Sequence, residues 1–318
     1  MTSLERLQAL PEPERLRILK MVQIRQTFAE FVKFAWPILE PGRPLQWNWH
    51  IDLICEAVQK QVEWAERTQA AQNAEAALLA SMKATERAAY VRPPAAPDPD
   101  ERYRRLAIFI SPGDLKSVLI SVFRPAWVWM RWPERRSLYF SHSKDVAKRD
   151  SRRTRLVLSH PAYRALVAAF VQLGVHGAKT WDFESDQNEK HNYVNTLGGH
   201  RLCFGFDQSF TGERGDDLVI DDPVDAGVAL RADEGDLRAA FADANDIIAN
   251  KMQSRVNDMK TATWTLMMQR LGEGDPGDIA IRDGDWTILC LPKEFNPTHP
   301  HRHPQDPRTE SYITGRIG

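Results

Sequence analysis

Three consecutive runs of residues decide the fold: LAIFI (Leu106–Ile110), SPGDLKS (Ser111–Ser117) and VLISVF (Val118–Phe123). An apolar, strand-like run enters a Pro-Gly turn, and an apolar run preceded by Lys-Ser leaves it. This order is typical of a phosphate-binding loop between a buried strand and a helix. A helix N-terminus offers free backbone N–H groups to phosphate oxygens, Lys116 adds a positive charge, and the Ser117 hydroxyl can bind Mg²⁺.

The loop departs from the usual phosphate-loop pattern at two positions. That pattern has glycine six positions before the lysine and directly before it, where this chain has Ile110 and Leu115. The alternative is a Pro-Gly turn followed by a helix with a solvent-exposed lysine. The rest of the chain must therefore supply the other parts of a nucleotide site.

Composition limits the class of protein. The 318 residues suffice for one large α/β core, or for one domain and a tail, and the formal net charge of -1 gives no overall basic field. Nine basic residues lie within Arg131–Arg155, however, and twelve acidic residues within Asp207–Asp246. This segregation predicts a basic, anion-facing region and an acidic, cation-binding region, or two ordinary solvated surfaces.

The cysteines and the apolar runs indicate the environment of the protein. Cys55, Cys203 and Cys290 are far apart in apolar surroundings, which predicts buried reduced thiols in an intracellular protein. No signal peptide opens the chain, and no apolar run approaches the roughly 20 residues that span a bilayer. We expect a soluble protein with no membrane partner.

The chain divides into four segments. We predict an N-terminal helical region at 1–64, an Ala-rich helical insertion with a Pro-rich connector at 65–100, a core at 101–295, and a linker or tail at 296–318. Within the core, helical patterns alternate with strands predicted at Leu106–Ile110, Ser137–Phe140, Arg201–Phe204, Leu218–Ile220, Thr263–Met267 and Trp286–Leu291. This alternation predicts an α/β fold with a mainly parallel sheet flanked by helices, and ligands at the carboxyl ends of its strands.

Two adjacent carboxylates follow the predicted strand Leu218–Ile220. Asp221 and Asp222 stand there, and Pro223 ends the strand. Burial of neighbouring carboxylates costs free energy unless a cation compensates. We predict that Asp221 binds Mg²⁺ together with Ser117 and that Asp222 polarises the attacking water; the alternative is a surface pair.

Two further polar features fit a nucleotide site. Gln269 follows the apolar strand Thr263–Met267, where it could contact the γ-phosphate or its water. Gln46 and Trp47 could read the edge of a purine and stack on its face. Tryptophans before an amphipathic helix otherwise serve as anchors of the core.

The motifs occur in a fixed order along the chain: Ser111–Ser117, Pro125–Trp127, Ser141–Ser143, Thr211–Gly215, Asp221–Pro223 and Gln269–Leu271. In this order and spacing, which covers about residues 45 to 295, they resemble the ATPase half of the large subunit of tailed-phage terminases. That family pumps double-stranded DNA into a procapsid.

The resemblance implies a RecA-like P-loop NTPase of the additional-strand, catalytic-carboxylate class that uses ATP and Mg²⁺. Lys116 and Ser117 match the family's Walker A residues, Asp221 its Walker B aspartate and Asp222 its catalytic carboxylate. Gln269 matches the coupling motif. The implied cofactor-binding residues are Gln46, Trp47, Pro112, Gly113, Asp114, Leu115, Lys116 and Ser117.

The resemblance also implies partners. Members work as homo-oligomeric rings docked on the portal protein, with the terminase small subunit and duplex DNA, in the cytoplasm of the bacterial host. DNA contact would be mainly to phosphates and therefore weakened by salt. We interpret Arg131–Arg155 as part of the DNA-facing or subunit-facing surface.

The chain departs from the family in three ways. Many members carry arginine where this loop has Gly113, so another arginine must serve; the candidates are Arg149, Arg152, Arg153 and Arg214, and we include Arg149 and Arg214 among the catalytic residues. Many members have glutamate at the position of Asp222. Full-length members continue into a ribonuclease H-like nuclease about where this chain ends, so we expect no nuclease activity.

Two alternatives stay open. One is another nucleic-acid-dependent ATPase, such as a helicase, with the same broad fold. The other is an assembly module whose phosphate loop has lost its activity and which only binds partner proteins. The missing loop glycines favour the second alternative, whereas the joint presence of Lys116, Ser117, Asp221 and Asp222 argues against it.

Overall fold

The computed structural model describes residues 8–93, 96–206, 212–229 and 231–308. The connector positions Pro94 and Ala95, and Thr211 of the fourth motif, lie outside the described residues. The helices are α1 (Glu12–Gln26), α2 (Phe28–Leu39), α3 (Trp49–Ser81), α4 (Ala84–Ala88), α5 (Arg124–Arg131), α6 (Lys144–Ser159), α7 (Pro161–Gln172), α8 (Ala226–Ala229), α9 (Glu234–Asp246) and α10 (Pro276–Asp283). Short 3₁₀ and π-helical turns lie between several of them.

The strands are β1 (Arg105–Ile110), β2 (Ser137–Ser141), β3 (Phe183–Asn188), β4 (Tyr193–Asn195), β5 (His200–Gly205), β6 (Asp217–Asp221), β7 (Thr263–Met268) and β8 (Thr287–Leu291). They form one sheet in the order β3-β4-β5-β2-β6-β7-β1-β8. The five neighbouring pairs from β5 to β8 in this order are parallel, whereas β4 pairs antiparallel with both β3 and β5. The prediction of an α/β protein with a mainly parallel sheet is confirmed, and the fold is compatible with a Rossmann-like or RecA-like architecture.

The central strands are buried on both faces of the sheet. Every residue of β2, β6 and β7 is buried, as is β1 from Leu106 onward. One face packs against α1 to α3 and α5 to α7, and the other packs against α10 and the helical segment that follows α9. Continuous apolar runs are typical of such doubly covered strands, and this is why the sequence revealed them.

The long helix α3 joins two segments that the sequence analysis separated. One face of its first half, from Ile51 to Ala65, is buried in the core, and the rest of the helix lies mostly in solvent. Because Ala, Gln and Glu favour helix without needing burial, the helix continues past its last core contact. No helix of the described residues is long and apolar enough to cross a membrane.

The sequence analysis missed β3, β4 and α10. The sequence of β3, FESDQN, lacks an apolar alternation, and this strand forms because β4 pairs with β5 and presents an edge. Helix α10 begins with an N-cap at Asp275, whose carboxylate accepts the Asp278 N–H, and with proline at the first helical position. That Asp-Pro pair is a helix-start signal that could have been read from the sequence.

A buried charge network holds the amino-terminal end of β6. The Asp217 carboxylate accepts hydrogen bonds from Arg135 Nη2 at 2.9 Å, Arg124 Nη2 at 3.3 Å and Thr263 Oγ1 at 2.5 Å. Burial by itself raises the pKa of Asp217, but the two guanidinium groups outweigh it and hold this pKa well below the ordinary range. The network ties α5 to the sheet.

Replacement of Asp217 tests this network. We expect Asp217→Asn to lower the free energy of unfolding by about 3–5 kcal/mol, because it leaves two guanidinium groups buried without a counter-charge. Because the pKa of Asp217 is lowered by folding, its contribution is complete above the ordinary aspartate pKa and is lost only in stronger acid. Denaturant unfolding at pH 7 measures the difference.

The exposed Asp243 provides the control. Asp243→Asn should change the free energy of unfolding by less than about 0.5 kcal/mol. Equal effects of the two substitutions would contradict a special role of Asp217.

Candidate active site

The predicted phosphate loop connects β1 to a helix that begins at Lys116. Two residues of the loop have left-handed backbones, Gly113 with φ 88° and Leu115 with φ 64°. Glycine adopts this conformation freely, whereas a leucine is strained in it. Leu115 stands directly before Lys116, where the usual pattern has glycine, and its backbone has the left-handed conformation that glycine adopts freely.

The helix after the loop opens with a π-helical turn, Val118–Phe123, before it continues as α5. Such turns are rare in proteins, and those that occur are often located at functional sites. Ser117 and Ser121, one helical turn apart, both face the end of β6. Sequence analysis identified Ser117 but missed Ser121, which looked like one polar residue within an apolar run.

The structure brings the loop and the two carboxylates together. Lys116 Nζ lies 2.7 Å from Asp222 Oδ1. The Ser117 hydroxyl donates to Asp221 Oδ1 at 3.2 Å, and the Ser121 hydroxyl donates to Asp221 Oδ2 at 2.9 Å. These contacts span β7, which lies between β1 and β6 in the sheet. Carboxyl ends of parallel strands meet at one edge, and here that edge collects side chains about one hundred positions apart.

Asp221 is buried with too little positive charge around it. Burial, the neighbouring Asp222 and the buried Asp150 raise the pKa of Asp221 to about 7. Hydroxyl oxygens and a carboxylate are ligands that Mg²⁺ prefers, so Ser117 and Asp221 fit the ion. No group of three His, Cys, Asp or Glu that could hold a metal occurs in the part of the chain that the structure describes. Mg²⁺ in nucleotide sites takes its other ligands from phosphates and water.

Gln269 contacts the site through its backbone. Its N–H donates to Asp222 Oδ1 at 3.3 Å, and its side chain is half-exposed. Gln269 directly follows β7, so the contact joins that strand to the predicted catalytic carboxylate. The predicted contact of Gln269 with the γ-phosphate or its water stays a prediction.

The two predicted adenine-side residues differ in their exposure and contacts. Gln46 is exposed, and the Trp47 ring packs under Lys33 while its Nε1–H donates to Asp52 at 2.9 Å. The next two aromatic side chains, Trp49 and His50, line a small cavity beside the phosphate loop.

That cavity also includes Asp114 of the loop and Arg308 of the tail. The Trp49 Nε1 and His50 Nε2 atoms are buried, and neither has a hydrogen-bond partner among the described residues. Apart from their position next to Trp47, nothing in the sequence pointed to Trp49 and His50, because the direction of each side chain depends on where α3 starts.

The arginine candidates occupy different environments. Arg149 donates to both oxygens of the buried Asp150 at 3.0 Å, and 57% of its side chain is exposed. Arg153 pairs with Glu40 at 2.9 Å. Arg152 and Arg214 are exposed and make no ion pair with any residue that the structure describes. Arg149 and Arg153 both pair with Asp150, which acts on Asp221, and the charge of Asp221 also acts on Arg149.

The basic run Arg131–Arg155 does not form one surface. Arg131 bonds to Glu66 of α3, and Arg135 belongs to the buried network of Asp217. The outward cations of the run are therefore mainly those of α6. Spacing along the chain could not separate these groups, because burial depends on the sheet beneath them.

Comparison with models of known protein families finds no match. A search of curated proteins also finds no similar sequence. Functional inference for this chain therefore depends on its motifs and on the geometry described above.

The left-handed backbone of Leu115 predicts that glycine and alanine variants differ in stability with opposite signs at position 115 and at an ordinary helical position. At position 115 we expect the glycine variant to be more stable than the alanine variant by about 1 kcal/mol, because glycine relieves the left-handed strain. At the exposed helical position 156 in α6, Leu156→Ala should instead be more stable than Leu156→Gly by a similar amount. Thermal unfolding of the four variants measures both differences, and the same sign at both positions would contradict the left-handed loop.

The raised pKa of Asp221 predicts a pH-dependent stability. In the folded chain without metal, the charged form is disfavoured, so stability falls as pH rises from about 4 through about 7. With a chelator present, Asp221→Asn should therefore raise the free energy of unfolding at pH 8 by at least about 1 kcal/mol, and this gain should vanish at pH 4. A gain that is equal at both pH values would refute the electrostatic cause.

Proposed function

We propose that this chain is the ATP-hydrolysing motor domain of a tailed-phage terminase large subunit, which moves double-stranded DNA into a procapsid. The observation that carries the proposal is the meeting of Lys116 with Asp222 and of Ser117 with Asp221 at one edge of the sheet. A solvent-exposed lysine after an ordinary turn would make neither contact. The order of the other motifs supports the same family.

The strand order supports the additional-strand class of P-loop NTPases. Strand β7 lies between β1, which leads into the loop, and β6, which ends in the carboxylates. Its last residues bring Gln269 to Asp222. A strand in this place forms a third side of the site. A change in its contacts on nucleotide hydrolysis can therefore be transmitted to the rest of the subunit.

The roles of the residues follow from their charges. The loop amides and Lys116 would bind the phosphates of ATP, and Ser117 and Asp221 would hold Mg²⁺, which neutralises charge on the phosphates when bound. In the present arrangement Lys116 binds Asp222. Phosphate oxygens compete for this ammonium group, so nucleotide binding frees Asp222 to accept a proton from the attacking water.

An arginine must replace the one that the loop lacks at Gly113. Arg149 suits this role best among the candidates, because its guanidinium is the more exposed of the two on α6 that pair with Asp150, and the charge of Asp221 acts on it. It could act in its own subunit or on the nucleotide of a neighbour in a homo-oligomeric ring. Portal protein, terminase small subunit and duplex DNA are the proposed partners, in the bacterial cytoplasm.

ATP turnover tests the proposal. The purified chain should hydrolyse ATP with Mg²⁺, and duplex DNA should stimulate turnover less as salt rises, because the contacts are to phosphates. Lys116→Ala and Asp222→Asn should each lower kcat at least about 100-fold. Lys251→Ala, at an exposed lysine on the helical segment after α9, is the matched control and should leave kcat unchanged.

Three outcomes separate the alternatives. Equal background rates for the wild-type chain, Lys116→Ala and Asp222→Asn would overturn the motor proposal and favour an inactive assembly module. Strand separation of a forked duplex would indicate a helicase. DNA-stimulated hydrolysis without strand separation is the expected result.

A further inference from the structure

The carbonyl oxygen of Asp222 accepts two hydrogen bonds from one residue, His142. The His142 backbone N–H donates to it at 3.1 Å, and His142 Nδ1 lies 3.1 Å from the same oxygen. A carbonyl has two lone pairs, so both bonds form together. Since the carbonyl only accepts, Nδ1 carries the proton. Any residue at position 142 would supply the backbone bond, but the ring bond requires this side chain.

The backbone of Asp222 needs such support. Its φ of 46° lies in the left-handed region, which costs a residue other than glycine roughly 1 kcal/mol or more. On one side, its N–H donates to the Met267 carbonyl of β7 at 2.9 Å. On the other side stands His142, directly after β2. The strained residue is thus fastened between the two strands that flank β6.

The next residue increases the importance of the carbonyl. Asp222 is followed by Pro223, so the peptide bond between them has no N–H. Its carbonyl is the only group through which neighbouring strands can hold this peptide plane by hydrogen bonds. The His142 ring and backbone provide both of the bonds that this oxygen accepts among the described residues.

The left-handed backbone turns the carboxylate toward the phosphate loop. Asp222 Oδ1 lies 2.7 Å from Lys116 Nζ and 3.3 Å from the Gln269 amide nitrogen. An aspartate is one methylene shorter than a glutamate, so the direction of its backbone must provide reach that a longer side chain would have. A small rotation of the Asp222–Pro223 peptide would therefore move the carboxylate away from the site.

We propose that His142 is a positioning residue for the reaction. Its ring N–H fixes the peptide plane after Asp222 and so directs the Asp222 carboxylate at the attacking water. The catalytic meaning of this role rests on the proposed ATPase function. The structural part, that the ring holds Asp222 in the left-handed conformation, is independent of it.

Three substitutions at position 142 separate the ring hydrogen bond from general packing. Asparagine carries an N–H donor about where histidine has Nδ1, glutamine carries its donor one methylene further, and alanine has none. We expect His142→Ala to lower kcat for ATP by about 10- to 100-fold, since displacement of a catalytic group by about 1 Å costs this much. KM should change less than about twofold, because the groups that bind the phosphates are untouched.

His142→Asn should recover kcat to within about threefold of the wild-type value, and His142→Gln should not. His176→Asn makes the same change at an exposed histidine that follows α7. It is the matched control and should leave kcat unchanged. A wild-type kcat in His142→Ala would overturn the inference. Equal losses in His142→Ala and His142→Asn would also overturn it, because the donor would then be irrelevant.

A double mutant tests whether His142 acts through Asp222. If it does, Asp222→Asn and the double variant Asp222→Asn/His142→Ala should have the same residual kcat. An additional loss in the double variant would contradict this route.

A crystal structure of His142→Ala distinguishes failure of this inference from failure of the proposed function. If the wild-type chain shows no ATP turnover, the proposed function fails, and the structure alone decides the role of His142. Departure of Asp222 from the left-handed region would support the role. An Asp222 φ that stays near 46° would overturn it, whatever the activity.

Discussion

The structure of the site depends on the burial of two adjacent carboxylates at the end of β6. A buried carboxylate is costly unless a positive charge or several donors compensate it. Asp222 has the Lys116 ammonium at 2.7 Å. Among the described residues the side-chain donors to Asp221 are two serine hydroxyls, and its pKa rises to about 7. The Asp221 carboxylate thus lacks a compensating positive charge, which the proposed Mg²⁺ would supply. The loop, β7 and β2 each place a group in contact with the adjacent Asp222.

The two ends of β6 differ in the balance of charge around their aspartates. At its start, Asp217 has more positive charge than it needs, from Arg124 and Arg135, and at its end Asp221 has too little. Arg124 belongs to the helix that begins with Lys116. The same helix is therefore anchored to the start of β6 through Arg124, and its first residues contact the carboxylates at the end of β6. An anchor of this kind holds the loop residues in a fixed position relative to the carboxylates.

Backbone strain is concentrated at the same edge. Among the described residues, Leu115 and Asp222 are the residues other than glycine with positive φ, and both contribute to the site. Strain of this kind persists only where the surroundings enforce it. Around Asp222 the enforcement comes from Met267 on one side and His142 on the other. Leu115 stands between the loop and the helix, and its side chain packs against the core.

The sequence by itself determined the class of the fold and the edge of the sheet that carries the site. Apolar runs such as Leu106–Ile110 must be buried, and polar residues directly after them must lie at strand ends, so both could be read from the chain. Only the tertiary structure decided that Ser121 contacts the Asp221 carboxylate and His142 the Asp222 carbonyl. It also decided that Trp49 lines the cavity beside the loop and that a polar segment forms β3. These features depend on which strands become neighbours, and strand order is a property of the whole core rather than of any local pattern.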